Sequence, residues 1–156
     1  MTHPISICLW FDNQAEEAAH FYTSIFKDSK IESISRYGKE GFEIHGMPEG
    51  TVMTVNFKIN GQPYTALNGG SLFKFNESIS FQVFCKNQEE IDYYWDKLTA
   101  GGEERQCGWL KDIFGVSWQI VPEILPQLLS DPHKAGKVTD AYLQMKKVDI
   151  AKLLAV

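Results

Sequence analysis

Cysteine is scarce in this chain. Cys8, Cys85 and Cys107 are its three cysteines, an odd and widely spaced set. That excludes a disulfide framework and points to free thiols in a reducing compartment. Clustered basic charge is lacking too. Fifteen Lys and Arg face twenty Asp and Glu, for a net charge of −5, and nowhere do they gather into a nucleic-acid-binding face. No apolar run is long enough to cross a bilayer. The opening MTHPISICLWFD has neither the basic start nor the long apolar stretch of a secretion signal. The expected setting is the cytoplasm, with no nucleic-acid and no membrane partner. A G-x-G-x-x-G dinucleotide fingerprint is missing as well; the double glycines Gly69-Gly70 and Gly101-Gly102 fall at a joint and at a helix end.

What is present suits a soluble globular domain with a core or a cavity to fill: 44% of residues are hydrophobic and 13% aromatic. Residues 5–11 alternate, with Ile5, Ile7, Leu9 and Phe11 on one side and Ser6, Cys8 and Trp10 on the other, which predicts a strand. Asn13 followed by Glu16 has capping-box spacing and predicts a helix over residues 14–26, with Ala18, Phe21, Tyr22, Ile25 and Phe26 as its stripe. Residues 30–37 read as a second strand and the glycine-rich 38–50 as a loop. Residues 51–59 and 62–67 flank Asn60-Gly61, a strong hairpin signal because both positions tolerate positive φ.

The order then starts again. Residues 78–85 alternate, with Ile79, Phe81 and Val83 opposite Ser78, Ser80, Gln82 and Phe84. Asn87 and Glu90 repeat the capping spacing, and a helix over 88–99 carries Ile91, Tyr94, Trp95 and Leu98 before stopping at Gly101-Gly102. A weakly marked strand at 103–107 precedes a second hairpin, with strands at 108–113 and 116–121 around Phe114-Gly115. On this match Tyr64 answers Trp118 and Thr65 answers Gln119. The expected architecture is α+β: two βαβββ modules, residues 1–70 and 71–123, with a helical extension over 124–156. In that extension Pro126 sits in a first turn, Asp131-Pro132 starts a short helix that Gly136 ends, and Asp149 caps the last helix.

One helix covers one face of a small sheet. The other face must meet the sibling module or a second chain. It is predicted to carry Ser6, Cys8, Trp10, Thr54, Asn56, Thr65, Ser78, Ser80, Gln82 and Gln119, a mixture suited to a pocket wall with a few placed polar groups.

The segments Phe11-Asp12-Asn13-Gln14-Ala15-Glu16-Glu17-Ala18, Leu67-Asn68-Gly69-Gly70, Ser78-Ile79-Ser80-Phe81, Tyr94-Trp95-Asp96-Lys97-Leu98 and Cys107-Gly108-Trp109-Leu110-Lys111-Asp112, continuing through Trp118-Gln119-Ile120-Val121-Pro122, carry a resemblance. The chain resembles the PhnB-like branch, often labelled 3-demethylubiquinone-9 3-methyltransferase, of the glyoxalase/bleomycin-resistance/dioxygenase (vicinal-oxygen-chelate) superfamily. The resemblance implies eight strands in two curved sheets that form a cup, usually in a homodimer. Metal-using relatives place a His or Glu at positions that here match Ser6, Thr65, Ser78 and Gln119. These residue types do not hold a divalent transition metal tightly, so no metal and no cofactor is expected at that site.

The expected ligand is a small organic molecule. Trp10, Gln82, Trp109 and Gln119 are the predicted wall, with Cys8 and Thr65 beside them. Indole offers a large stacking face and one donor. Cys8 is expected to be a small buried filler rather than a nucleophile, because no cation or base is placed to activate it. His3, His20, His45 and His133 are expected to be structural or solvated, and Lys111 and Asp112 to be exposed charges beside a turn. Two alternatives remain open: a metal-dependent lyase or isomerase drawing ligands from elsewhere, such as His45 and Glu43, and the methyltransferase of the family label. The latter conventionally needs a Rossmann-like sheet that this pattern does not contain.

Overall fold

The computed structural model describes residues 5–156; His3 and the start of the first module lie outside them. The described chain forms β1 (Ile7–Phe11), α1 (Ala15–Ile25), β2 (Lys30–Arg36), a one-turn α2 (Phe42–His45), β3 (Val52–Ile59) and β4 (Gln62–Asn68). There follow β5 (Phe81–Cys85), α3 (Gln88–Thr99), β6 (Glu103–Glu104), β7 (Trp109–Lys111) and β8 (Ser117–Pro122), then α4 (Leu125–Ser130), α5 (Ala135–Leu143) and α6 (Ile150–Leu154). The chain divides into a unit up to Lys74 and a unit from Phe75 to Val156.

Each unit holds one four-stranded mixed sheet, and the strand order repeats: β1-β4-β3-β2 in the first, β5-β8-β7-β6 in the second. β1 runs parallel to β4, and β5 parallel to β8. The remaining neighbours are antiparallel. The repeat read from residue pattern is therefore a repeat of topology.

In the first unit, alternation sends Leu9, Phe11, Val55, Phe57, Ile59 and Ala66 to the side covered by α1, where Ala15, Ala18, Ala19, Tyr22 and Ile25 are buried against them. Small alanines let the helix lie close to the sheet. Asn60 (φ 48°) and Gly61 (φ 78°) form the expected primed hairpin turn. In the second unit Leu110, Trp118, Ile120 and Cys85 pack with Ile91, Trp95 and Leu98 of α3. Trp118 and Cys85 thus lie in the core.

Several expectations are corrected. Asn13 does not cap α1; its N-cap is Gln14, without a side-chain cap bond. The capping oxygen comes from Asn68, whose Oδ1 accepts from Ala15 N at 2.8 Å across 53 residues. At the second helix the expected cap forms, with Asn87 Oδ1 accepting from Glu90 N at 2.9 Å, but Glu90 Oε2 reaches one residue further back than in a capping box and accepts from Lys86 N at 2.8 Å. The strand expected from Ser78 begins only at Phe81, because Ser78 is tied into a turn by Asn76 Oδ1. The strand expected over 103–107 stops at Glu104, since Arg105 N turns back to Trp109 O and Cys107 (φ 60°) and Gly108 (φ 75°) leave the extended region. Gly136 does not end a helix; it lies in the first turn of α5.

The C-terminal helices dock on the second unit. Val121, Leu125, Val138, Val148 and Leu153 form one buried cluster. Gln88 of α3 binds this tail at both ends of its amide, donating to Val148 O (3.0 Å) and accepting from Ile150 N (3.0 Å). Asp149 caps α6 through Lys152 N at 3.1 Å, as expected.

Gly102 shows how tightly α3 meets β7. A Cβ there would lie 2.1 Å from the Lys111 carbonyl oxygen, a backbone atom held in the ladder with Glu103. Gly102→Ala is therefore expected to lower the melting temperature by about 4–8 °C, through a backbone shift costing about 2 kcal/mol. A thermal melt checks this.

Candidate ligand-binding site

The open face of the first sheet carries one polar row across all four strands. Cys8, Thr65, Asn56 and Ser33 are successive register partners on β1, β4, β3 and β2. Thr65 Oγ1 donates to Asn56 Oδ1 at 2.9 Å, and Asn56 Nδ2 donates to Ser33 Oγ at 3.0 Å. The next row holds Trp10, Leu67, Thr54 and Ser35. Cys8 is exposed, not the buried filler expected: it lies on the uncovered face of edge strand β1. Partial desolvation still pushes its thiol above the ordinary value, so at neutral pH it stays protonated and weakly nucleophilic.

Trp10 is more committed than its sequence position suggested. Its Nε1 donates to Gly70 O at 2.8 Å, and its ring meets Phe73 edge-on at 5.0 Å. A Cβ on Gly69 would come within 2.3 Å of that ring. The double glycine therefore seats an indole. The other double glycine closes α3, with Gly101 at φ 74° and Gly102 against β7. Neither forms a phosphate cradle.

In the second unit the open face is organised by Gln82, Gln119 and Trp109, register partners on β5, β8 and β7. Gln119 Nε2 donates to Ser80 Oγ at 2.8 Å, and Gln82 Nε2 reaches Gln119 Oε1 at 3.4 Å. Trp109 and Gln119 are half-buried, while Gln82 is exposed. Rows correspond between units: Thr65 takes the place of Gln119, and Cys8 that of Gln82. Ser6 then corresponds to Ser80, not to Ser78. Of the predicted wall, the structure brings Cys8 and Thr65 into one row with Trp10 in the next, and Gln82, Trp109 and Gln119 into another. Asn56, Ser33 and Ser80 complete these networks; Ser33 had no signal, because β2 lacks clean alternation.

One residue has a role that sequence reading misjudged, and one histidine has the structural role expected of it. Asp112 is 3% exposed rather than an exposed charge. Its Oδ1 accepts from Phe114 N (2.9 Å) and Val116 N (3.0 Å), and its Oδ2 from Trp118 Nε1 (2.8 Å). His45 is engaged within its own loop: Nδ1 accepts from Met47 N at 2.9 Å, so Nε2 carries the proton given to Glu40 O at 3.0 Å, and the ring lies 4.6 Å from that of Tyr37. His20 and His133 are exposed. Among the described residues no three His, Cys, Asp or Glu side chains are grouped as metal ligands, and no helix is long and apolar enough to cross a membrane.

Two tandem βαβββ sheets of identical strand order, each with one helix-covered and one open face, define a vicinal-oxygen-chelate fold of the α+β class. Residues 3–121 match the protein-family model described as 3-demethylubiquinone-9 3-methyltransferase, and the chain belongs to that family. A PhnB protein of Bacillus cereus with the same family description is 37% identical, with TM-score 0.68 over 77% of this chain and 99% of its own. Protein PA1353 of Pseudomonas aeruginosa (17% identity, TM-score 0.61, 78% and 98% covered) shares the fold. So does the fosfomycin resistance protein FosX of Listeria monocytogenes, in a structure with manganese(II) and sulfate (18%, 0.54, 83% and 96%). No curated protein matches the sequence. The helices α4 to α6 lie beyond the family match.

Proposed function

We propose that this protein binds a small organic molecule against an open sheet face, with Gln119 and Trp109 as the main contacts and Gln82 beside them in the second unit; Thr65, Cys8 and Trp10 form the corresponding candidate surface of the first unit. The observation that carries this reading is the Gln82–Gln119–Ser80 network beside Trp109. A core excludes such a linked set of half-exposed amides next to an indole, and plain solvent does not require it; a ligand wall uses both. Amide pairs offer donors and acceptors together, which suits a polar but uncharged part of a ligand. The homodimer expected from the resemblance and a cytoplasmic setting belong to this proposal. Methyl transfer has less support, because both double glycines serve packing. A metal-dependent lyase using His45 has less support as well, because both imidazole nitrogens already have partners.

A ligand-observed NMR screen of small aromatic and amide fragments tests the reading. Gln119→Leu is expected to weaken the hits at least about tenfold, the scale of one or two lost polar contacts. Its melting temperature should stay within about 3 °C of the parent, as for a partly exposed side chain. A large drop in melting would instead make Gln119 a structural hydrogen-bonding residue and remove the wall.

A further inference from the structure

Lys111 and Ser117 are register partners on β7 and β8. Alternation settles their side: Leu110 and Trp118 are buried under α3 and Asp112 binds the Trp118 indole, so Lys111 and Ser117 share the open face with Gln119. Ser117 is 2% exposed, and among the described residues its Oγ has no hydrogen-bond partner. A buried hydroxyl left unpaired is costly and calls for a reason. Lys111 Nζ meets Glu77 Oε1 at 2.7 Å. Glu77 lies shortly before β5, and β8 separates β5 from β7. The Lys111 side chain, next to Ser117 in register, therefore reaches from β7 to the segment that leads into β5, on the other side of β8. The Lys111 side chain is 21% exposed and that of Glu77 52%, so the cation is sheltered while its carboxylate partner sits at the surface. The Lys111 hydrogen bond is the main cause holding the Glu77 carboxyl below its usual range, and the charge of Arg105 adds to it.

We propose that this is an oxyanion subsite. A carboxylate or phosphate-type group of a small ligand displaces Glu77 from Lys111 and accepts a hydrogen bond from Ser117, while the rest of the ligand lies along Gln119 and Trp109. Glu77 is an internal stand-in that keeps Lys111 paired until the ligand arrives. The subsite rests on the ligand-wall reading of this face and gives that ligand an anionic end. An ammonium and a hydroxyl together suit an oxyanion because both donate and neither needs to reorganise its charge.

Inorganic phosphate and acetate, titrated at constant ionic strength, are the probes. Backbone amide signals of Lys111, Ser117 and Gln119 are expected to shift saturably. Glu77→Gln should tighten binding about tenfold by removing the competing carboxylate. Lys111→Gln should abolish it. Ser117→Ala should weaken it several-fold without lowering the melting temperature, because the unpaired hydroxyl is gone. An ion pair that is only structural gives the opposite sign for Glu77→Gln: lower melting and no gain in anion affinity. That result, or no saturable shift in the parent, overturns the subsite. A preference for phosphate or for acetate supports it and assigns the anion's class. Fragment binding that Gln119→Leu abolishes, with no anion response in any variant, removes the oxyanion subsite and leaves the ligand wall standing. Anion binding with the expected Glu77→Gln sign, but no fragment hits, upholds the subsite and removes the wider wall.

Discussion

Asp112→Ala is expected to destabilise the protein by about 4 kcal/mol, the scale of a buried charged acceptor withdrawn from three donors. The carboxylate sits at the centre of the second hairpin. It accepts from two turn amides and from the indole of Trp118, and Trp118 itself is 2% exposed. Removing it leaves a buried indole N–H and two turn N–H groups without an acceptor. It also loosens the turn in which Gly115 (φ 84°) closes on the Asp112 carbonyl at 2.9 Å. Asp112→Asn keeps one acceptor oxygen and should recover part of the loss, while directing an amide N–H at whichever donor it does not serve. Denaturant unfolding measures both, and a loss under about 1 kcal/mol for the alanine variant, the size of an ordinary surface change, would show that the three bonds add little.

Asn68→Ala is expected to cost about 3 kcal/mol, adding a lost helix cap to an unpaired buried carbonyl. Asn68 is 3% exposed. Its Oδ1 caps α1 at Ala15 N, its Nδ2 donates to Val52 O at 3.0 Å, and its own carbonyl accepts from Tyr37 Oη at 2.6 Å. One amide thus ties α1 to the start of β3. The alanine variant keeps the backbone carbonyl and with it the Tyr37 bond, so the loss falls on the helix and the strand. Hydrogen exchange should accordingly report faster opening at Ala15 and its neighbours in α1 than in α3, which belongs to the other unit. Equal acceleration in both helices would mean that the cap is not local in effect.

Both residues sit in segments that the sequence marked, yet their roles were not legible there. Leu67-Asn68-Gly69-Gly70 stood out as part of a family likeness and looked like a joint. It proves to be a cap, a seat for Trp10 and an acceptor for its indole N–H. Asp112 looked like a turn-flanking charge. In each case the deciding partner is a group whose position depends on strand order. Asn13 shows the same limit from the other side: it had capping spacing, but a distant side chain took the place.

The residue pattern by itself determined the strand-helix-strand-hairpin order, its repetition, the faces of Val55, Phe57, Trp118 and Ile120, and the turns at Asn60-Gly61 and Gly115. These follow from period-two and period-3.6 alternation and from residues that tolerate positive φ, all of which act within a few positions. Only the tertiary structure decided that β1 pairs with β4 and β5 with β8, which sets Gln82 beside Gln119 and stretches Lys111 across β8 to Glu77. Parallel neighbours are joined by long connections whose register no local signal encodes. The side chains that meet across them are therefore settled by packing of the whole sheet.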